Sequence, residues 1–294
     1  MKIAVGMIIF NGNYVLKECL ESIYPYVSQI LISEGPVKFW QEQGYTTSDD
    51  GTNEVLESFP DPDSKIKIVH GQFEEKDDQC NAYMKHLRDD MDYIWNIDCD
   101  EIFKSDDIER LIEILKIRKP TSVGFKSCSF YGGFDNVLGG FEEKAEFIRI
   151  RKVYPGSYWA THRPPTIAHT IENPQAEDHL DFNTLLSAGI QMYHYSYVFP
   201  KQVHDKVKYY KTKISKDNCI DNYFSEIYMP WVLDINRDVI EHKYKGVHEF
   251  KPEYRGECYT KPFVGTHPIA IQNNMNSLID KFSEQVEKYS CMNI

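Results

Sequence analysis

The sequence predicts an α/β fold whose ligand crevice lies along one edge of a parallel sheet. Three observations lead there. Short apolar runs alternate with stretches of helical period as far as Pro120. The runs are near-continuous, as in strands covered on both faces. Each run also ends in a polar group, so Asn11, Glu34, the segment from Lys76 to Asn81, and Asn96 with Asp98 and Asp100 are carried to the same edge.

Taken in order, Ile3 to Phe10 is the first strand, broken by Asn11-Gly12-Asn13. Val15, Leu16, Cys19, Leu20 and Ile23 then recur with helical period. Ile30 to Ile32 is a second strand, ending at Glu34-Gly35-Pro36, and this βαβ unit predicts a parallel pair. A polar excursion follows, in which Asp50 or Thr52 is placed to cap a short helix containing Val55, Leu56 and Phe59. Lys65 to Val69 is the third strand. Lys76 to Asn81 leads into a helix with Ala82, Tyr83, Met84 and Leu87 inward, and Tyr93 to Ile97 is the fourth strand. Ser105 and Asp106 start a helix that buries Ile108, Leu111, Ile112 and Leu115.

Beyond Pro120 the pattern changes. Val123 to Phe130 and Glu146 to Val153 read as strands with period-two alternation. Ile148 and Ile150 take one face, while Phe147, Arg149 and Arg151 take the other. Tyr158 to Pro165 reads as an irregular loop, since residues before proline avoid the helix. Ile190 to Tyr197 is a further strand, followed by a basic helix from Lys201 to Lys216. An aromatic, proline-containing tail ends in an amphipathic helix bearing Leu278, Ile279, Phe282 and Val286.

The chain of 294 residues, 41% apolar and 14% aromatic, has the composition of a globular protein with one large or two ordinary cores. A net charge of −12 argues against a protein whose main task is to hold nucleic acid by its phosphates. Seven scattered cysteines without C-x-x-C spacing, and an N-terminus that leads straight into a core strand, set the expectation of reduced thiols in a cytoplasmic protein. The longest apolar run, Ile3 to Phe10, is far too short to span a bilayer.

Asp98 and Asp100 stand one residue apart at a strand end, point the same way, and can share one hard cation. Lys76 can meet a phosphate, and acid groups at the same edge can bind ribose hydroxyls. The glycine fingerprints of dinucleotide sites and of P-loops are both absent, so a diphosphate in this crevice needs a metal to neutralise it. His162 and Arg163 read either as braces of their aromatic loop or as groups that touch substrate, and His194 as a core histidine or a ligand.

The first strand, the Asn11 loop, the helix ending Cys19-Leu20-Glu21-Ser22-Ile23, the Asp50-Gly51-Thr52 turn and Asp98-Cys99-Asp100-Glu101 resemble the GT-A-fold glycosyltransferases of the family 2 type. The resemblance covers residues 1 to about 115 well and extends more loosely through His194, Tyr195 and the helix that follows. It implies a GT-A domain over 1–200, with a Rossmann-like nucleotide-sugar half (1–118) and an acceptor half (119–200) on a mixed β-sheet, and a C-terminal helical extension over 201–294. It also implies transfer of a sugar from a nucleoside-diphosphate sugar to an acceptor hydroxyl, with Mn²⁺ or Mg²⁺ as cofactor. By position, Asp98, Asp100 and His194 would hold the metal, and Phe10, Asn11, Glu34, Lys76, Gln79, Asn96 and Asp98 would bind the nucleotide sugar. The family's general base has no clear counterpart, and His162 and Arg163 occupy the place where it is sought. Two alternatives stay open at this point: a sugar-1-phosphate nucleotidylyltransferase, and a non-catalytic nucleotide- or carbohydrate-binding module. The lysines from Lys201 to Lys216 are either a solvated face or a rim that attracts an anionic acceptor.

Overall fold

The computed structural model describes residues 1–140, 142–213, 222–243 and 259–291, and Lys216, Cys219, His248 and Cys258 lie outside them. The chain divides into two compact units, the first made of residues 1–126 and 146–192, the second of 127–145 and 193–294.

The alternation expected from the sequence is observed as β1 (Ile3–Ile9), α1 (Leu16–Ile23), β2 (Gln29–Glu34), α2 (Lys38–Gln41), α3 (Thr52–Ser58), β3 (Ile66–His70), α4 (Lys76–Met84), β4 (Tyr93–Asn96), the short β5 (Glu101–Ile102) and α5 (Ser105–Arg118). Then come β6 (Ser122–Tyr131), β7 (Asn136–Leu138), β8 (Glu146–Lys152), β9 (Tyr158–His162), β10 (Pro165–Ala168), β11 (His179–Leu180), α6 (Phe182–Ser187) and β12 (Met192–Tyr197). The chain ends with α7 (Pro200–Lys213), a π-helical turn (Tyr223–Tyr228), α8 (Met229–Val232), α9 (Arg237–Lys243), β13 (Thr260–Pro262) and α10 (Ile269–Ser290).

In the first unit β1 pairs in parallel with β2 and with β4, and β2 pairs in parallel with β3. β8 adds antiparallel to β4 and to the start of β6, which makes the sheet mixed. The continuous apolar character of β1 and β2 has its expected cause. Ala4, Val5, Met7, Ile30, Leu31 and Ile32 are wholly buried. On α1 the residues of helical period, Val15, Leu16, Cys19, Leu20 and Ile23, are likewise buried. Gly6 is required in β1 by close approach, because a Cβ there would meet the ring of Tyr83 from α4 at 2.5 Å.

Two expectations are corrected. Residues 158–165 are not an irregular loop but part of the antiparallel hairpin β9–β10. Proline excludes the helix from the residue before it yet leaves the extended conformation open, which is what a strand needs. α4 supplies the rest: Asn81 accepts from the Trp159 amide and donates to its carbonyl, both at 2.9 Å, so it mimics a neighbouring strand. On α10 the apolar stripe is narrower than expected. Leu278 is buried, whereas Ile279, about 100° further round the helix, is exposed.

The second unit has a core of its own, in which Tyr131, Tyr223, Tyr228 and Trp231 pack with Val203 and Val207 of α7. The buried hydroxyl of Tyr228 donates to the Val198 carbonyl at 2.6 Å. Two cations of the basic helix are engaged locally. Lys201 pairs with Asp205 at 2.6 Å, and Lys206 sits 4.5 Å above the Tyr197 ring.

One polar interaction crosses the interior of the first unit. Glu101 and Arg149 are almost completely buried, at 0% and 3% side-chain exposure, and Arg149 Nε donates to both Glu101 oxygens at 2.9 Å. A buried pair of this kind adds little net stability over an apolar pair, but removing one partner strands a charge. Arg149→Met should therefore destabilise the fold by about 3–5 kcal/mol in urea unfolding, and Arg149→Met with Glu101→Leu should recover part of that loss.

Candidate functional site

β4 is buried through Asn96, as is Ile97 after it, and the chain first reaches the surface at Asp98 and Cys99. Its three carboxylates part company here. Glu101 turns inward to Arg149 and also accepts the Asp98 amide at 3.2 Å, which folds the turn back on itself. Asp100 is nearly buried, while Asp98 is about a quarter exposed. The Asp98 Oδ2 accepts from Arg149 Nη2 at 3.2 Å and from Arg163 Nη2, so guanidinium groups from β8 and from the β9–β10 turn meet on one oxygen.

The ends of β1 and β2 are organised by the loop that follows α2. Asn11, in the left-handed region at φ 49°, donates its amide to Ser48 Oγ and accepts the Asp49 amide on Oδ1, both at 2.8 Å. The next two amides are also used: Gly12 donates to Thr52 Oγ1 at 2.9 Å and Asn13 to Asp50 Oδ2 at 3.0 Å. Glu34 is buried and accepts from the Ser48 amide at 2.9 Å, from Thr47 Oγ1, and from His70 Nδ1 at 2.9 Å. Gln79 donates to the carbonyls of Ile9, Ser33 and Gly35, tying α4 to the ends of β1 and β2. Asp50 accepts the Thr52 amide at 3.1 Å, a local turn contact, but the N-cap position of α3 is Gly51 and has no side-chain cap, so the cap expected of Asp50 or Thr52 is not formed. Phe10 stands beside two rings from the α2 segment, Trp40 at 5.6 Å and Tyr45 at 5.4 Å between centroids. All three are partly exposed.

The start of α4 faces the β9–β10 hairpin. Asp77 Oδ1 accepts from the His162 amide at 2.7 Å and pairs with His162 Nδ1 at 2.6 Å. Burial acts to raise the Asp77 carboxyl, but the His162 hydrogen bonds outweigh it and hold the group below its ordinary value. Beside it the Lys76 ammonium is held below its usual range by burial and then by the charge of Arg163, with Asp98 and Asp100 opposing. The His162 ring is lowered by burial and by the charges of Lys76 and Arg163, against the pull of Asp77.

Of the residues expected at the site, Phe10, Asn11, Glu34, Lys76, Gln79, Asn96, Asp98, Asp100, His162 and Arg163 all lie in the first unit, whereas His194 lies on β12 in the second. Asp98 and Asp100 offer hard oxygen donors of the kind Mg²⁺ and Mn²⁺ take. No group of three or more His, Cys, Asp or Glu among the described residues could enclose an ion. Two carboxylates still fit, because such ions are commonly held by one or two carboxylates with the remaining positions left to substrate phosphates and water. Arg149, Asp77, Trp40 and Tyr45 were missed by the sequence reading. Asp77 reads there as one more acid at a helix start. For Arg149 the only signal is an arginine inside an alternating strand, and Trp40 and Tyr45 stand out only as aromatics in a polar stretch.

Residues 46–162 match the sequence model of the family described as Glycosyl transferase family 2. No curated protein matches the chain. Among solved structures, TarS residues 1–349 from S. aureus is 14% identical, with a TM-score of 0.34 over 44% of this chain and 36% of that one. The same protein in complex with UDP-GlcNAc gives 14%, 0.35, 46% and 36%. A 4-diphosphocytidyl-2C-methyl-D-erythritol synthase from Anaerococcus prevotii gives 14% and 0.31, over 51% of this chain and 70% of that one. This chain thus spans little more than a third of the TarS 1–349 chain. Likenesses so distant carry no weight for its chemistry. The family match is independent of them: over residues 46–162 this mixed α/β chain is similar to the family 2 glycosyl transferases.

Proposed function

We propose that this chain moves a sugar from a nucleoside-diphosphate sugar to an acceptor hydroxyl. The observation that carries the reading is the meeting of Lys76, Arg163 and Arg149 around Asp98 at the edge where β1, β2 and β4 end. In a protein of net charge −12, cations brought together against burial and mutual repulsion mark a place for an anion. A diphosphate relieves that repulsion. The half-exposed faces of Phe10, Trp40 and Tyr45 offer a surface on which a base can stack.

The same geometry disfavours a nucleotidylyltransferase. A loop that wraps a triphosphate after the first strand does so with backbone amides. Here the amides of Asn11, Gly12 and Asn13 are already donated to Ser48, Thr52 and Asp50.

A divalent ion, Mn²⁺ or Mg²⁺, would be held by Asp98 and Asp100 and supplies Lewis-acid stabilisation of the charge that develops on the leaving diphosphate. Arg163 and Lys76 act on the same charge as fixed donors, and Arg149 keeps the Asp98 carboxylate in place.

Two outcomes test this. In a thermal-shift screen of UDP-, GDP-, dTDP- and CMP-sugars with Mn²⁺, one donor class should stabilise the protein, by about 2.7 kcal/mol at one hundred times its Kd. The protein should also hydrolyse that donor slowly; EDTA should abolish both the shift and this hydrolysis, and Asp100→Ala should lose both with Mn²⁺ present. Turnover that continues undiminished in chelator would remove the ion from the reading. Separately, Lys76→Met should weaken binding of the matching nucleoside diphosphate by about 10- to 100-fold in calorimetry, the worth of a charge-assisted hydrogen bond of about 1.5–3 kcal/mol.

A further inference from the structure

The contact between His162 and Asp77 does more than brace a hairpin. Asp77 Oδ1 takes both the backbone amide and the ring Nδ1 of His162, at 2.7 and 2.6 Å, across 85 residues of sequence. One carboxylate oxygen so fixes the strand end and the imidazole on it together. Because an ionised carboxylate only accepts, the proton of the neutral ring sits on Nδ1, and Nε2 carries a lone pair. Among the described residues His162 Nε2 makes no hydrogen bond, and the side chain is 24% exposed. The next residue, Arg163, reaches Asp98, so this ring stands at the border of the proposed diphosphate site.

We propose that His162 is the general base that takes the acceptor's hydroxyl proton on Nε2, with Asp77 as the positioning residue that sets its tautomer and direction. This rests on the glycosyl-transfer reading. The acceptor oxygen bonds to the anomeric carbon as its proton passes to His162 Nε2. The bond from that carbon to the diphosphate oxygen breaks, and its electron pair leaves with the diphosphate. A single displacement of this kind inverts the anomeric configuration.

The charged groups facing the ring are Asp77 and Lys76 from α4 and Arg163 from its own hairpin. Burial first, and then the two cations, keep the imidazole neutral to lower pH than usual, as a base must be at neutral pH. Asp77 opposes them and stabilises the imidazolium that forms during transfer.

Water stands in for the acceptor in the test, with UDP-, GDP-, dTDP- and CMP-sugars as donors. His162→Gln, whose amide can still donate to Asp77, should lower donor hydrolysis by about 10²–10⁴-fold while leaving the Kd of the nucleoside diphosphate within about twofold. The wild-type rate should fall with acid below the usual histidine range near pH 6.5, and this limb should vanish in the variant. Proton NMR should show the released sugar with inverted configuration. Asp77→Asn should lower the rate and, in long-range proton–nitrogen spectra, move the ring proton of His162 off Nδ1. Hydrolysis at the wild-type rate in His162→Gln, a retained anomer, or loss of nucleotide binding with the histidine would overturn the proposal. The nitrogen spectra require no donor. If wild type turned over none of the nucleotide sugars, the transferase reading would fail, whereas a proton found on Nε2 in wild type would overturn the dyad by itself.

Discussion

The candidate site depends on the buried pair of Glu101 and Arg149. Glu101 draws the turn after β4 inward, and the Arg149 fork, anchored on that carboxylate, uses its remaining reach for Asp98. Without an inner partner the arginine could not remain at 3% exposure, because an isolated buried charge costs several kcal/mol. The pair sorts the three acids of Asp98-Cys99-Asp100-Glu101 into different tasks: one is consumed inside, and two are left near the ligand edge. An arginine suits this place better than a lysine, since its planar fork can serve two carboxylates at once.

A second constraint is the loop from 47 to 52. It takes the free amides at the end of β1 and donates the Ser48 amide to the buried carboxylate of Glu34 at the end of β2, so backbone donors at one strand end and a buried acceptor at the other are satisfied. Residues that looked like ligand contacts, Asn11 and Glu34 among them, are thereby also members of a rigid wall. A site whose walls are hydrogen-bonded before the ligand arrives loses less entropy on binding. The same wall presents Phe10 beside Trp40 and Tyr45, which belong to the α2 segment inserted ahead of that loop.

Much of this was legible in the sequence, and the reason is local. Period and continuity of apolar residues report which faces are covered, so β1, α1, β2, α4, β4 and α5 were all expected close to where they occur. The hairpin of β9 and β10 was misread because the residues before Pro164 and Pro165 were taken for a loop, and the Asn81 side chain that holds Trp159 from α4 leaves no periodic trace. Ile279 was misassigned because a broad apolar stripe does not say how much of itself is covered.

By itself the sequence determined the α/β alternation and the polar endings of the strands, since both follow from spacing along a strand or helix. Asp98 and Asp100 were expected to pair by strand alternation, but they lie in the turn beyond the end of β4, where that spacing no longer sets direction. Only the tertiary structure decided which acid goes to which cation. Glu101 finds Arg149 48 residues away, and Asp77 finds His162 85 residues away. Side chains of one charge are interchangeable in a sequence pattern and are told apart only by burial and distance, because the energy of a charge pair depends on its separation and on the water removed around it.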